Sequence, residues 1–424
     1  MLEWRLHGFY KQQEKRLMAG LDFSGKKQTY RPLSLILGVT VLAVGSPLFA
    51  KSYYVSPNGN DAAAGTLESP LRTIQKAADS AGPGDTIYLR EGTFSEGVWF
   101  VRGGEEGRPI VLRNYPGEHP VIDRGWAGDG VQLWSTNRAV TPVAWVVIEG
   151  LEIRNSGAGI NFYSGHNLIF RNNHVHHADQ GIHGNGHHIL YDGNLITHTD
   201  ERCKHCSKEG QENIWNHGIY QSGTHITIVN NIFLYHGGSG VHMAAYPYNP
   251  DKDIAPEYRG GTDWVISNNL FAFNNAPGIW VWQPGAKGAV IQNNVFYDNA
   301  QNSFPYNGIA FQSAGSGHII RNNLFYHTAN KQAISHDESS GLYVASNNLF
   351  EKPLLTDPTG FDFRPTDNSP VGGKGIGDLA PNIDIEGQSR PSTGPISIGP
   401  YEVDAVTTVE PPPPQRQLQR LIKC

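Results

Sequence analysis

The chain has 424 residues and a formal net charge of -6, with 17% charged residues, 49 glycines and 27 prolines. That balance lacks the basic footprint of a nucleic-acid-binding protein, and it suits many short strands and turns better than long helices. A globular chain of this length would divide into two or three domains, but repeat architectures grow along one axis, so a repeat is sought first.

In chain order, Lys26, Lys27 and Arg31 precede the apolar run Leu33 to Val44, followed by Gly45, Ser46, Pro47 and Ala50. This pattern predicts an export signal over residues 1–50, cleaved after Ala50, with Met18 as the initiating residue. The run is short for a bilayer, so no stable membrane span is expected after cleavage, and the mature protein is expected to be secreted or periplasmic. Ser69 to Ala81 opens with Ser-Pro and places apolar residues at Leu71, Ile74, Ala77 and Ala78, which predicts a short N-terminal capping helix. Thr86 to Leu89, Pro109 to Arg113 and Trp145 to Arg154 read as less regular coils.

From residue 143 to 350 a phrase recurs: an alternating strand, an Asn pair, then an apolar residue, at Asn172-Asn173, Asn230-Asn231, Asn268-Asn269, Asn293-Asn294, Asn322-Asn323 and Asn347-Asn348. Asn tolerates left-handed backbone, and stacked amides can bond as a ladder, so each pair predicts a tight bend on successive coils. In one coil Asp192-Gly193 replaces the pair before Asn194, which would place positive φ at the second position. A second phrase, Gly followed by an apolar residue, opens another strand at Gly159, Gly181, Gly218, Gly240, Gly278 and Gly308. The fold class is therefore all-β: a right-handed parallel β-helix solenoid with a short N-terminal capping helix, spanning residues 51–403 and expected as a monomer. Residues 404–424, with Pro411 to Pro414, read as a disordered tail, and Cys203 and Cys206 as a local disulfide rather than a zinc site.

Tyr53-Tyr54-Val55-Ser56-Pro57-Asn58-Gly59-Asn60-Asp61, followed by Gly65-Thr66, Ser69-Pro70 and Gly82-Pro83-Gly84-Asp85-Thr86, resembles the opening of secreted pectate-lyase-like β-helix proteins. Asp362 to Pro370 and Ile396 to Glu402 resemble their closing segment. The resemblance implies fold and export. It does not select among lyases, epimerases, hydrolases and proteins without activity, so function must come from a site.

Counting from the Gly-apolar phrase, one outward column reads Asn161, His183, Tyr220, His242, Trp280, Ala310, and the next reads Tyr163, Asn185, Ser222, Ala244, Trp282, Gln312. Thirteen of the 18 histidines fall between His166 and His242. Long insertions at Asp200 to Asn216 and Ala245 to Gly261 are expected to wall a groove beside them. The expected partner is an acidic polysaccharide, and the expected chemistry is β-elimination or C5 epimerisation at a uronic acid. This requires a base, a donor to the sugar carboxylate and an acid for the leaving oxygen. His217 or His242 is assigned as base and Tyr220 as proton donor. Arg259, Asn185 or His183 is assigned to the carboxylate, with Trp280 and Trp282 stacking on sugar rings.

No cofactor is assigned. Calcium is possible, because the resembled superfamily includes calcium-assisted elimination and Asp200, Glu201, Glu209, Asp251 and Asp253 could supply oxygen ligands. Two other functions stand beside this one. The first is a non-catalytic glycan-binding or envelope protein, in which stacked histidines and aromatics serve stability alone. The second is a glycoside hydrolase, which needs paired carboxylates that the counted columns do not offer. His174, His176 and His177 read as solvated turn residues rather than metal ligands.

Overall fold

A computed structural model describes residues 50–135, 142–199, 214–245, 260–301, 304–336 and 338–403. The expected export signal apart from Ala50, the Cys203–Cys206 pair, the tail, Arg259 and the five acidic residues weighed for calcium lie outside these.

Short strands pair in parallel, each with the equivalent strand one coil on, and wind into three sheets around one core. The first sheet runs from Ser52–Val55 through Thr86–Leu89 to Tyr343–Ser346. The second holds Pro120–Asp123, the starts of Glu152–Arg171 and His174–Asp192, and then Leu195–Thr199 to Leu324–Tyr326. The third holds Val98–Phe100, Val131–Leu133, the middles of the two long strands, the start of Ile219–Val229, and then Val241–Ala244, Ile279–Trp282 and Tyr306–Gln312.

Alternation sends every second side chain inward, so equivalent residues stack along the axis. On the second sheet Phe233, Phe271, Phe296 and Phe325 are near-parallel, with ring centroids 4.9, 5.0 and 4.8 Å apart, which is the rung spacing itself. The cap is shorter than the sequence suggested. The helix is Ile74–Ser80, with Thr73 as N-cap and Ile74, Ala77 and Ala78 buried. Leu71 instead pairs with Val55 as an extended residue, so the Ser-Pro step initiates a bridge and not the helix.

The Asn bends form a ladder inside the turn. Nδ2 of Asn173, Asn194, Asn231, Asn269, Asn294 and Asn323 each donates to Oδ1 of the next coil's Asn at 2.8 to 3.1 Å, ending at Asn348. The same oxygens accept the preceding coil's backbone N–H, for example Asn231 N to Asn269 Oδ1 at 2.8 Å. The bend differs from the expected one in which residue takes the left-handed conformation. Positive φ falls on the first residue of each pair, as at Asn172, Asn230 and Asn268, and Gly193 fills that first position while Asn194 joins the ladder.

Outward residues of the second sheet would be an exposed apolar stripe: Leu195, Ile232, Leu234, Leu270, Val295 and Leu324. The chain after residue 355 folds back over them and packs Phe363, Val371, Ile385, Ile398 and Tyr401 on the stripe. Arg390, buried, ties this segment to the turns through Asn230 Oδ1 at 3.1 Å and Glu402 at 2.8 Å.

Candidate functional site

The outer face of the third sheet carries the column expected from the sequence. Gln132, Asn161, His183, Tyr220, His242, Trp280 and Ala310 are successive pairing partners. Their rings form a continuous ladder: His183 stacks on Tyr220 (5.2 Å, 7°), Tyr220 meets His242 (4.7 Å), and His242 stacks on Trp280 (5.2 Å, 9°). Trp282 lies 5.6 Å from His242. The column was expected to be exposed, yet His242 is only 1% and Trp280 7% exposed. Their faces are covered by each other and by Trp215 and Phe304, at 6.3 and 5.6 Å from Trp280.

His217 precedes its strand and stands outside the counted column, but its ring turns in beside Tyr220 and His242. Space for it exists because residue 238 is glycine: a Cβ there would come within 2.5 Å of His217 Nδ1. The hydrogen bonds fix both tautomers. The Ser239 backbone N–H donates to His217 Nδ1 at 2.9 Å, so that nitrogen has no proton and Nε2 carries it. His217 Nε2 lies 2.8 Å from His242 Nδ1 and donates to it, so His242 carries its proton on Nε2. That buried Nε2–H has no hydrogen-bond partner among the described residues. An unsatisfied buried donor costs about 1–3 kcal/mol, which a ligand acceptor would restore.

Burial holds the pair neutral. It pushes His217 well below the usual imidazole range, reinforced by the nearby His242 and His236, and it pushes His242 down to about 3. Both nitrogens of His217 are engaged, Nδ1 by the Ser239 N–H and Nε2 by His242. His183 is also lowered by burial, with the Asp129 carboxylate opposing the shift. Asn185, 6% exposed, uses its Oδ1 to accept the Ser164 N–H at 2.6 Å beside the bulge between the two long strands. It is held there as a bulge brace.

Sequence reasoning missed several residues on this face. Trp215, 53% exposed, ends an insertion and stacks on Trp280, a contact that no periodicity announces. Trp99 and Trp134 extend the ladder through Tyr163 to His183, but they sit on coils whose irregular phrases hid their register. Asp129 accepts from Ala158 N, Asn161 Nδ2 and Gln132 Nε2, which brings a carboxylate to a column thought to have none nearby.

Comparison with known proteins agrees with this architecture. Residues 53–212 match the family model described as Pel9A-like, right handed beta helix region, and residues 253–352 match the right handed beta helix region model. Over these two stretches the chain is similar to right-handed β-helix regions, in keeping with the parallel coils described above. Pectate lyase PEL9 of Emericella nidulans is 46% identical over 78 residues, which is 18% of this chain and 19% of that relative's own length. The uncharacterized protein YwoF of Bacillus subtilis is 25% identical across 72% of this chain and 74% of its own. Among solved structures, pectate lyase Pel9A superposes with a TM-score of 0.47 at 16% identity, over 84% of this chain and 96% of that one.

Proposed function

We propose that this β-helix protein binds a uronic-acid polysaccharide along the outer face of the third sheet and acts on it by β-elimination or C5 epimerisation. Polygalacturonate is the first substrate to test. The observation that carries the reading is His242, a buried imidazole whose Nε2–H is fixed as a donor and lacks an acceptor, set among aromatic platforms. Removing the proton beside a sugar carboxylate drives negative charge onto that carboxylate. A donor already oriented in a water-poor site stabilises the charge where it develops.

The tautomer chain exchanges the roles assigned from sequence. His242 donates to the carboxylate, with His217 as the group that orients it. His183, whose nitrogens make no hydrogen bond among the described residues, is the proton acceptor. Tyr220, between them at 5.2 and 4.7 Å, protonates the leaving oxygen. Trp280, Trp282 and Trp215 offer ring faces for sugars, and Arg259, outside the described residues, remains a second candidate for the carboxylate. The short, 46%-identical stretch shared with pectate lyase PEL9 supports the choice of polymer. Export, expected from residues 1–50, would bring the protein to it.

The 1% exposure of His242 favours one other reading, glycan binding without chemistry. Hydrolysis has less support, because Asp129 is bound through both oxygens by its neighbours and hydrolysis calls for two carboxylates. The test is incubation of the mature chain with polygalacturonate, alginate and chondroitin, reading absorbance of the unsaturated product and proton exchange at C5. Turnover on one polymer that His242→Ala lowers at least about 100-fold, the cost of losing one oriented donor, supports the assignment. Binding with no turnover on any of them would leave the glycan-binding reading in its place.

A further inference from the structure

The second sheet carries a different cluster, on the face opposite the core and on another side of the coil from the aromatic ladder. Its outward columns are apolar wherever the C-terminal segment covers them, and they change character one rung beyond Leu195. Leu195 pairs with His174, and His174 with Glu152. His176 lies two residues along the same strand and therefore on the same side. His174 and His176 were expected to be solvated turn residues. Both are strand residues only 7% exposed, because the continuous strand His174–Asp192 begins at the turn itself.

One ligand atom from each of Glu152, His174 and His176 lies within 4.8 Å of the other two. Ligands around a tetrahedral ion at bond lengths near 2.0–2.1 Å are about 3.3 Å apart, so small side-chain rotations would close the set. His176 Nε2 already lies 3.3 Å from Glu152 Oε1, and Arg154, held by Asp123 at 2.8 Å, donates to the same oxygen. Such a partner orients a ligating carboxylate and leaves its second oxygen for a cation. His174 Nδ1 is buried with no partner among the described residues. Beside the cluster is a cavity of about 220 Å³ lined by Glu152 and His174 together with Arg113, Asn114, His119 and Glu149. A structural role would call for a sealed apolar or fully bonded rung. This one has two imidazoles and a carboxylate converging, an orphan nitrogen, and room for a water molecule.

We infer that Glu152, His174 and His176 form a binding site for a divalent transition-metal ion of the zinc class, with a fourth coordination position open to the cavity. Two nitrogen donors and one oxygen select such an ion over calcium, which takes six to eight oxygens.

The test is a titration of the metal-stripped full chain with Zn²⁺ against a chromophoric chelator, repeated with Co²⁺ to read the visible bands of a tetrahedral site. Cys203, His205 and Cys206 offer a competing set in the same chain, so the Cys203→Ser/Cys206→Ser protein is measured in parallel. The inference expects one equivalent of ion, retained in the cysteine variant and weakened at least about 100-fold, the upper end for a supporting residue, in both His174→Ala and Glu152→Gln. Glu152→Gln preserves shape and decides the matter if His174→Ala does not fold. Absence of binding, binding unchanged by Glu152→Gln, or binding lost only with the cysteines would overturn it.

Discussion

Two ladders run along this molecule and differ in how their polar atoms are used. In the Asn ladder of the turns, one residue type repeats and every rung bonds to the next, so the column is complete in itself. On the third sheet the rungs change identity from Asn161 to His183, Tyr220, His242 and Trp280, and one buried N–H is left over. Regularity with full satisfaction marks a column that holds the fold together. Heterogeneity with an orphan donor fits the ligand-binding column proposed above. Histidine stacking alone does not make that distinction, since His166 on His187 and His188 on His225 also stack, at 5.0 and 4.5 Å.

The comparison predicts opposite outcomes for the two columns. Asn269→Ala removes an amide that bonds Asn231, Asn294 and the Ile228 carbonyl, leaving buried groups on both sides unpaired. It should destabilise by about 3 kcal/mol in chemical denaturation, while uronate affinity of the folded fraction stays unchanged. Gly238→Ala should act the other way. The methyl displaces His217, breaks the chain to His242 and lowers turnover at least about 10-fold, at a stability cost of about 1–2 kcal/mol.

Acid provides a third contrast. His217, His236 and His242 are held neutral in the fold, the latter two with values near 3, whereas unfolded histidine titrates near 6.5. Between those values the unfolded chain binds more protons, so stability is full above about pH 6.5 and falls as pH drops toward 3. The loss is up to about 1.4 kcal/mol per pH unit for each histidine. Denaturation midpoints measured from pH 7 to pH 4 check this, and the Asn ladder, having no titrating group, contributes nothing to the slope. The smallest effect is expected at Trp215→Ala. Its exposed ring should matter only for sugar binding, which weakens by about 1–2 kcal/mol as read by calorimetry, with the melting temperature unmoved.

The repeat made most of the fold legible, because a period-2 strand and an Asn bend are local signals that coil stacking turns into long-range pairing. The counted column from Asn161 to Ala310 matches the observed register for the same reason. Legibility stopped where a residue's role depends on contacts that no repeat encodes. His217 reaches the ladder from a turn, and only Gly238 and the Ser239 amide explain its orientation. Asn185 looked like a groove residue, but a bulge between two long strands drew its oxygen to Ser164. The burial of His174 and His176 could not be read without knowing that the strand starts at the turn. The folded-back segment after residue 355 covers an apolar stripe that alternation alone would have left facing water.

The most direct test of the central claim is imidazole ¹⁵N NMR of the protein at pH 7, before and after addition of an oligogalacturonate. The account predicts that His217 and His242 are both neutral with the proton on Nε2, and that sugar shifts the His242 Nε2–H together with the Trp280 indole. A protonated or Nδ1–H His242, or a sugar-bound spectrum in which those signals stay fixed while others move, would contradict it.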